Sequence, residues 1–321
     1  MTRVEPARIL FTGGSSGIGL EAARLLNAQG HELTILCRNQ ARADQTLGLF
    51  GGAVRTLICD LADLTAVVDI TNQLRESDTS FDALVLNAGL QYAGARQPRW
   101  SCQGIELTFA VNQLAHQLIA MRLMPVLRRS ANPRLVITAS EVHNPASGGG
   151  KVGRPAALGD LAGLRAGAGF VMVDGSDCFD ADKAYKDSKL CNLLMARELN
   201  RHLDGAIPVI AWSPGLVIPR SGGGFFRDNR RRNPLAMAAF ALVARDLFRI
   251  TESLEGAGRL LAQLVMDDRA TPGFTYIANT LVRPGVHHLE AEATSAEAAD
   301  LQKASELWEL SELLMDRATS H

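Results

Sequence analysis

Through the first 140 positions, short aliphatic and β-branched runs alternate with stretches whose apolar residues recur every three or four positions. The runs Arg8–Thr12, Glu32–Cys37, Ala53–Cys59, Ala83–Leu86 and Leu135–Thr138 predict strands. The spacing between them predicts helices over Gly17–Gln29, closed by Gly30, and over Ala41–Phe50, Leu64–Arg75 and Ile105–Leu127. Apolar strands separated by amphipathic helices indicate βαβ units and a buried parallel sheet. From Glu141 to Asp180 the periodicity fails and glycine and proline become dense. Plain connections run to about 4–6 residues, so the stretch 141–180 reads as a functional insertion.

Helix signals resume over Asp182–Leu203, followed by a strand at Pro208–Trp212. A second irregular stretch, Leu216–Ile250, holds Gly222–Gly224, arginines 227, 230, 231 and 232, and an apolar run from Leu235 to Ala244. This combination reads as a lid over 216–250. A helix over Glu252–Met266, a strand at Phe274–Ala278 and a helix over Ala296–Asp316 complete the chain, with Thr294 and Glu297 spaced as a capping box. The expectation is a single α/β domain over 1–321, a Rossmann-like doubly wound sheet of about seven parallel strands.

Composition narrows the function. Hydrophobic residues at 47% support a packed core, and a net charge of −1 argues against a nucleic-acid binder that relies on a basic surface. The five cysteines, 37, 59, 102, 178 and 191, contain no C-x-x-C pair, so neither a thiolate metal site nor a disulfide framework is expected. The ten-residue run at 235–244 falls short of the ~20 residues a helix needs to cross a bilayer, but it is long enough to touch a membrane surface. The N-terminus shows no signal core or presequence pattern. The chain therefore reads as cytoplasmic, with peripheral membrane contact and homo-oligomerisation open to it, and as bacterial.

The chemistry begins at Thr12-Gly13-Gly14-Ser15-Ser16-Gly17-Ile18-Gly19, between the first strand and the first helix. A glycine loop there lets backbone N–H groups and the helix dipole meet a pyrophosphate, with Thr12, Gly13, Ser15, Ser16, Gly17, Ile18 and Gly19 as the cradle. The second strand ends at Cys37-Arg38. An arginine where NAD-binding proteins carry an acid suits a 2′-phosphate, so NADPH is the expected cofactor. Asp60 and Leu61 fall where an adenine edge would lie, and Asn87-Ala88-Gly89 where the cofactor backbone passes. Pro214 and Gly215 leave the sheet beside the same site.

Tyr185 and Lys189 stand one helical turn apart on one face. An ammonium beside a phenol favours phenolate and so makes tyrosine a usable acid–base group. Lys189 also reaches toward ribose hydroxyls. Ser140, after the fifth strand, is placed to hydrogen-bond the reacting region, and Asn112 to hold a water that links Lys189 to solvent.

This set resembles the short-chain dehydrogenase/reductase superfamily. The stretch Ala184-Tyr185-Lys186-Asp187-Ser188-Lys189-Leu190-Cys191-Asn192 is similar to the signature of its light-dependent protochlorophyllide oxidoreductase branch. So are Leu158-Gly159-Asp160-Leu161 with Gly163-Leu164, Met172-Val173-Asp174-Gly175, Pro98-Arg99-Trp100 with Gly104-Ile105-Glu106-Leu107, and the tail Ser295–Leu314. The resemblance implies NADPH-dependent, light-driven reduction of the C17=C18 bond of protochlorophyllide in (bacterio)chlorophyll synthesis. It also implies Tyr185 as proton donor or pigment anchor. The chain departs from the branch at Gly89, at Gln91 (with Tyr92 adjacent), at Leu216 in place of a cysteine, and at a final strand left with Tyr276. Two other readings are a light-independent carbonyl reductase similar to retinol dehydrogenases, and a catalytically silent NADP-binding partner. The intact Tyr185, Lys189, Asn112 and Ser140 argue against the silent one.

Overall fold

The computed structural model describes residues 6–77, 79–218, 238, 242–248 and 250–319. Eight strands form one sheet: β1 (Arg8–Thr12), β2 (Glu32–Cys37), β3 (Val54–Ile58), β4 (Ala83–Leu86), β5 (Arg134–Thr138), β6 (Pro208–Ser213), β7 (Gly273–Arg283) and β8 (Val286–Ala291). Their order is β3-β2-β1-β4-β5-β6-β7-β8. Seven run parallel, and β8 pairs antiparallel with β7. The expected set of about seven parallel strands therefore gains an eighth, of opposite direction. Val286–Ala291 is an edge strand with one neighbour, mostly exposed, so it carries no buried apolar run to announce it.

The side-chain alternation of the central strands divides the core in two. Leu10, Leu84, Leu86, Leu135, Ile137 and Val209 face one layer, built from α3 (Leu64–Glu76), α5 (Ala115–Leu127), α7 (Ala181–His202) and α9 (Leu301–Thr319). Ile9, Phe11, Leu33, Ile35, Val85 and Trp212 face the other, formed by α1 (Gly17–Ala28) and α8 (Leu254–Val265). α2 (Gln40–Leu47) follows β2.

Two helices differ from expectation at their starts. The helix read as Ile105–Leu127 begins as α4 (Leu107–Phe109), capped by the Glu106 carboxylate, and passes through a π-helical turn at Ala110–Leu114 before α5. At the C-terminal helix the Thr294–Glu297 box does not form. Thr294 Oγ1 accepts from Arg197 Nη2 at 2.9 Å. The Glu297 carboxylate is taken by Leu158 N at 3.0 Å and Lys303 Nζ at 2.6 Å. Asp300 instead accepts from Lys303 N, and a 3-10 turn (Glu297–Ala299) precedes α9.

The insertion 141–180 is irregular as expected, apart from a 3-10 turn (Glu141–His143) and α6 (Ala162–Ala166). Most of the segment read as a lid, including the glycines 222–224 and the arginines 227, 230, 231 and 232, lies outside the described residues. Its ends are described: Val217 bridges Glu252, and Ala244, in a π-helical turn at Leu242–Leu247, packs on Ile218. No helix among the described residues is long and apolar enough to cross a membrane.

The sheet reverses its winding between β1 and β4, which opens a crevice at their carboxyl ends. Thr12 closes the bottom of that crevice. Its buried hydroxyl accepts from Asn87 N at 2.9 Å and Ala88 N at 3.0 Å, and bonds His116 Nε2 at 2.9 Å. Thr12→Val keeps the shape but orphans these groups, so stability should fall by about 2–4 kcal/mol, while Thr12→Ser retains most of it. The urea midpoint at unchanged slope measures this. A valine variant within 0.5 kcal/mol of wild type would remove Thr12 from its central place.

Candidate active site

The glycine loop between β1 and α1 has the shape a phosphate needs. Gly13 (φ +71°) and Gly17 (φ +59°) adopt left-handed backbone. A Cβ added at Gly13 would strike the Ala88 backbone at 2.8 Å, whereas one at Gly17 would meet nothing within 4 Å. The loop is thus pressed against the end of β4 on its inner side and open on its outer side. Gly19 packs so closely that a Cβ would lie 2.3 Å from Gly13 O. Ser16 precedes α1 in extended backbone and its side chain does not cap the helix. The first N–H groups of α1 are left to an anion. Ile18 turns the other way and packs on the core.

The neighbouring positions divide between open and committed. Arg38 is exposed just past β2, and no protein group pairs its guanidinium among the described residues. Arg42 is bonded to Gln45 Oε1 at 3.0 Å. Asp60 accepts from Ala62 N at 3.0 Å, and Leu61 packs at the core edge. The Asn87 side chain is fully engaged, reaching Gly13 O and accepting from Thr138 Oγ1 at 3.0 Å, so it ties β1, β4 and β5 together. Pro214 O accepts from Asn279 Nδ2 at 3.0 Å, and Gly215 (φ +75°) turns the chain away from the sheet. The donor set fits a nicotinamide dinucleotide: uncapped N–H groups at a glycine turn, an exposed arginine at the next strand end, and a lysine beside a tyrosine.

α7 starts at the Asp180 cap, whose carboxylate accepts from Asp182 N and Lys183 N. It carries Tyr185 and Lys189 to the end of β5. The Tyr185 hydroxyl hydrogen-bonds the Ser140 side chain, and burial holds the phenol above its ordinary range. Lys189 Nζ donates to Thr138 O at 2.8 Å and lies 5.6 Å from the Tyr185 ring centroid. Burial pushes the Lys189 ammonium down to about 7. Tyrosine therefore holds its proton firmly, while the lysine charge is costly until something anionic arrives.

Asn112 sits in the π-helical turn, buried, a place where helix irregularity often marks function. Its Nδ2 donates to Leu90 O and Ser188 Oγ, each at 3.0 Å, and its Oδ1 accepts from Leu90 N at 2.8 Å. Its main-chain carbonyl meets Asn192 Nδ2 at 2.7 Å and His116 Nδ1 at 3.1 Å. Both side-chain partners of that carbonyl come from outside the sequence-predicted set. Asn192 continues the face of 185, 188 and 189, which is the signal that would have found it. His116 is pushed down to about 3 by burial, so it stays neutral. With Nδ1 donating to a carbonyl, Nε2 accepts from Thr12, and the ring joins the crevice floor to Asn112. On the open side of Asn112, a Cβ at Gly89 would stand 3.6 Å from both Asn112 Oδ1 and Lys189 Nζ. Glycine thus leaves the approach between these two groups clear.

Several singled-out residues lie outside this group. Tyr92 is buried against Phe179 and gives its hydroxyl to Glu106. Gln91 donates to Asp182 at 2.8 Å. Tyr276 is buried, edge-on to His143 at 5.2 Å. Cys191 is in the core, its thiol pushed well up by burial, while Cys178 is exposed.

A model of the short chain dehydrogenase family matches residues 7–151. Protochlorophyllide reductase A of Oryza sativa subsp. japonica is 34% identical over 319 residues, covering 96% of this chain and 80% of that one. Protochlorophyllide reductase of Avena sativa is 34% identical over 322 residues, covering 97% and 100%. Among solved structures, an uncharacterised protein from Mycobacterium paratuberculosis superposes with a TM-score of 0.69 at 22% identity, over 97% of this chain and 93% of that one.

Lys189 gives a pH signature. Below about pH 7 the folded chain carries the buried charge at full cost. From there to the unfolded lysine value of about 10.4, the unfolded chain binds more protons, so stability rises with pH. Lys189→Met lacks this term. Its stability relative to wild type should be highest near pH 6.5 and decline by on the order of 1 kcal/mol per pH unit toward pH 9.5. Denaturant melts across that range measure it. A difference independent of pH would mean that the charge is not desolvated.

Proposed function

On the premise that the chain belongs to the protochlorophyllide reductase family of short-chain dehydrogenases, we propose that it reduces the C17=C18 bond of protochlorophyllide with NADPH after the pigment absorbs light. The chain is an oxidoreductase that takes a nicotinamide cofactor. One observation carries the finer reading: a proton-holding Tyr185, bonded to Ser140 and set beside a buried Lys189, in a chain aligned almost end to end with reductases of that name.

The cofactor, when bound, supplies hydride. Gly13, Ser15, Ser16, Gly17, Ile18 and Gly19 would hold its phosphates through backbone N–H groups, above the floor that the buried Thr12 closes, with Asp60, Leu61, Asn87, Ala88, Gly89, Pro214 and Gly215 lining its course. Lys189 would hold the ribose. Arg38 would hold a 2′-phosphate, which selects NADPH.

The reaction adds hydride at C17 and a proton at C18. A phenol held above its ordinary range yields its proton only to a strong base, such as the carbanion left at C18 after hydride addition. As Tyr185 loses its proton, the Lys189 ammonium beside it stabilises the phenolate. Asn112, across the Gly89 gap, would hold a water that links Lys189 to solvent and so lets that proton be restored. The insertion 141–180 would wall the pigment from water.

An absorption spectrum of protein, NADPH and protochlorophyllide before and after a flash tests the reading. Product should appear only with light and both ligands. Equal product in darkness, or none after illumination of a verified ternary complex, would reject the proposal. Tyr185→Phe should bind NADPH normally and lose most of the product yield.

Arg38→Ala should weaken NADPH binding by about tenfold or more and leave NADH nearly unchanged, because only the 2′-phosphate gains a charge-assisted bond. Titration by cofactor fluorescence reads this. Equal weakening of both would make Arg38 a structural residue.

A further inference from the structure

The residues that flank Tyr185 on α7 are buried and charged, an arrangement that the site chemistry leaves unused. Lys183, Lys186 and Asp187 expose 3%, 5% and 0% of their surface. Such side chains stay out of water only when paired. Here their partners belong to the insertion. Lys186 Nζ donates to Gly150 O and Arg154 O, each at 3.0 Å, and to Val152 O. All three of its N–H bonds are spent on main-chain carbonyls. Asp187 Oδ1 accepts from Ala157 N at 3.0 Å, and Oδ2 pairs with Lys183 Nζ at 2.5 Å. Lys183 also reaches Ala157 O at 2.7 Å and Asp174 at 3.1 Å.

Residues 150–157 have no helix or strand of their own to satisfy these groups. α7 supplies the missing partners. The same segment begins at the active site: Ser140 bonds Tyr185, Ser147 Oγ donates to Glu141 O at 2.9 Å, and Lys151 N donates to Ser147 O at 3.1 Å. The loop thus leaves from one partner of Tyr185 and is fastened again one and two residues beyond it.

The fastening also decides what the loop shows. With the carbonyls of 150, 152 and 154 turned to Lys186, the side chains of Lys151, Val152 and Arg154 are exposed, Val152 by 72%. An apolar side chain lies between two cations, of which Arg154 keeps a long, half-exposed ion pair with Asp174 at 3.9 Å that a substrate carboxylate would replace. That surface matches a flat apolar molecule bearing a carboxylate.

We propose that Lys186 is a positioning residue that sets substrate class: it holds 150–157 as a preformed wall beside Tyr185, and the wall's Lys151 and Arg154 receive the substrate carboxylate. This rests on the reading of the substrate as protochlorophyllide, whose propionate is that carboxylate.

The test has a ligand-free arm and a pigment arm. In ligand-free protein, Lys186→Gln should raise hydrogen exchange of amides 149–157 by about tenfold or more, and Lys186→Arg should restore protection. With pigment, Lys186→Gln should raise the pigment KM about tenfold, with kcat at saturation and NADPH affinity changed less than about threefold. The exposed pair Lys151→Gln/Arg154→Gln, which gives up a long, half-exposed ion pair to Asp174, should raise the KM similarly for the acid and leave the pigment methyl ester unaffected. Unchanged exchange in Lys186→Gln would overturn the fastening. Altered exchange with an unchanged pigment KM, or equal losses for acid and ester, would overturn the specificity role. Wild-type protein that converts no pigment would instead defeat the functional reading, while the exchange arm would still report on the clamp.

Discussion

Three ammonium groups are buried along one helix, and the chain around them is arranged to bear that cost. Moving an ammonium out of water is unfavourable by several kcal/mol unless charges or hydrogen bonds replace the solvent. Lys183 is met by two carboxylates, Asp174 and Asp187. Lys186 is met by three carbonyls. Lys189 has one carbonyl, Thr138 O, and the face of Tyr185. The least compensated of the three stands where chemistry is expected. The other two secure the irregular chain that surrounds it. Stability and site are thereby separated along one helix face by steps of three residues.

The same separation appears across the sheet. At the carboxyl ends of β1, β4 and β5 the polar side chains bond one another: Thr12 to the 87–88 backbone and His116, Asn87 to Thr138, and Thr138 Oγ1 to the Trp212 indole at 3.0 Å. These contacts fix the floor. What faces the crevice above them is backbone N–H at the glycine turn, the Tyr185 and Ser140 hydroxyls, and Arg38. A site built this way has rigid support and few committed groups on its open side, which is the condition for ordering a cofactor without rearranging the protein.

Much of this was legible in the chain itself, because the signals were local. β4 is a continuous apolar run, and β1 and β2 are apolar but for Arg8, Thr12, Glu32 and Thr34, since both faces of these strands are covered. The glycine loop and the Tyr185–Lys189 spacing are likewise contained in a few residues. The π-helical turn at Ala110–Leu114 left no trace, because one extra residue per turn hardly disturbs an apolar periodicity in a helix buried on every side. Asn192 and His116 were missed because their partner, the Asn112 carbonyl, is 80 and 4 residues away and carries no side-chain signature. The capping box failed for a tertiary reason: Arg197 takes the Thr294 hydroxyl and the Leu158 N–H takes the Glu297 carboxylate, both from far along the chain.

The late strand β8 has an effect beyond closing the fold. An open parallel sheet ending at β7 would present eleven residues of unpaired backbone, a template on which another molecule's strand could align. The hairpin pairs the Ile277–Arg283 part of that edge with a strand of six residues, bent off register at Leu281/Arg283 and carrying His288 and Glu290 outward. A short, kinked and charged rim is a poor seed for intermolecular β-pairing. The antiparallel turn-back thus acts as a stop against strand-by-strand aggregation.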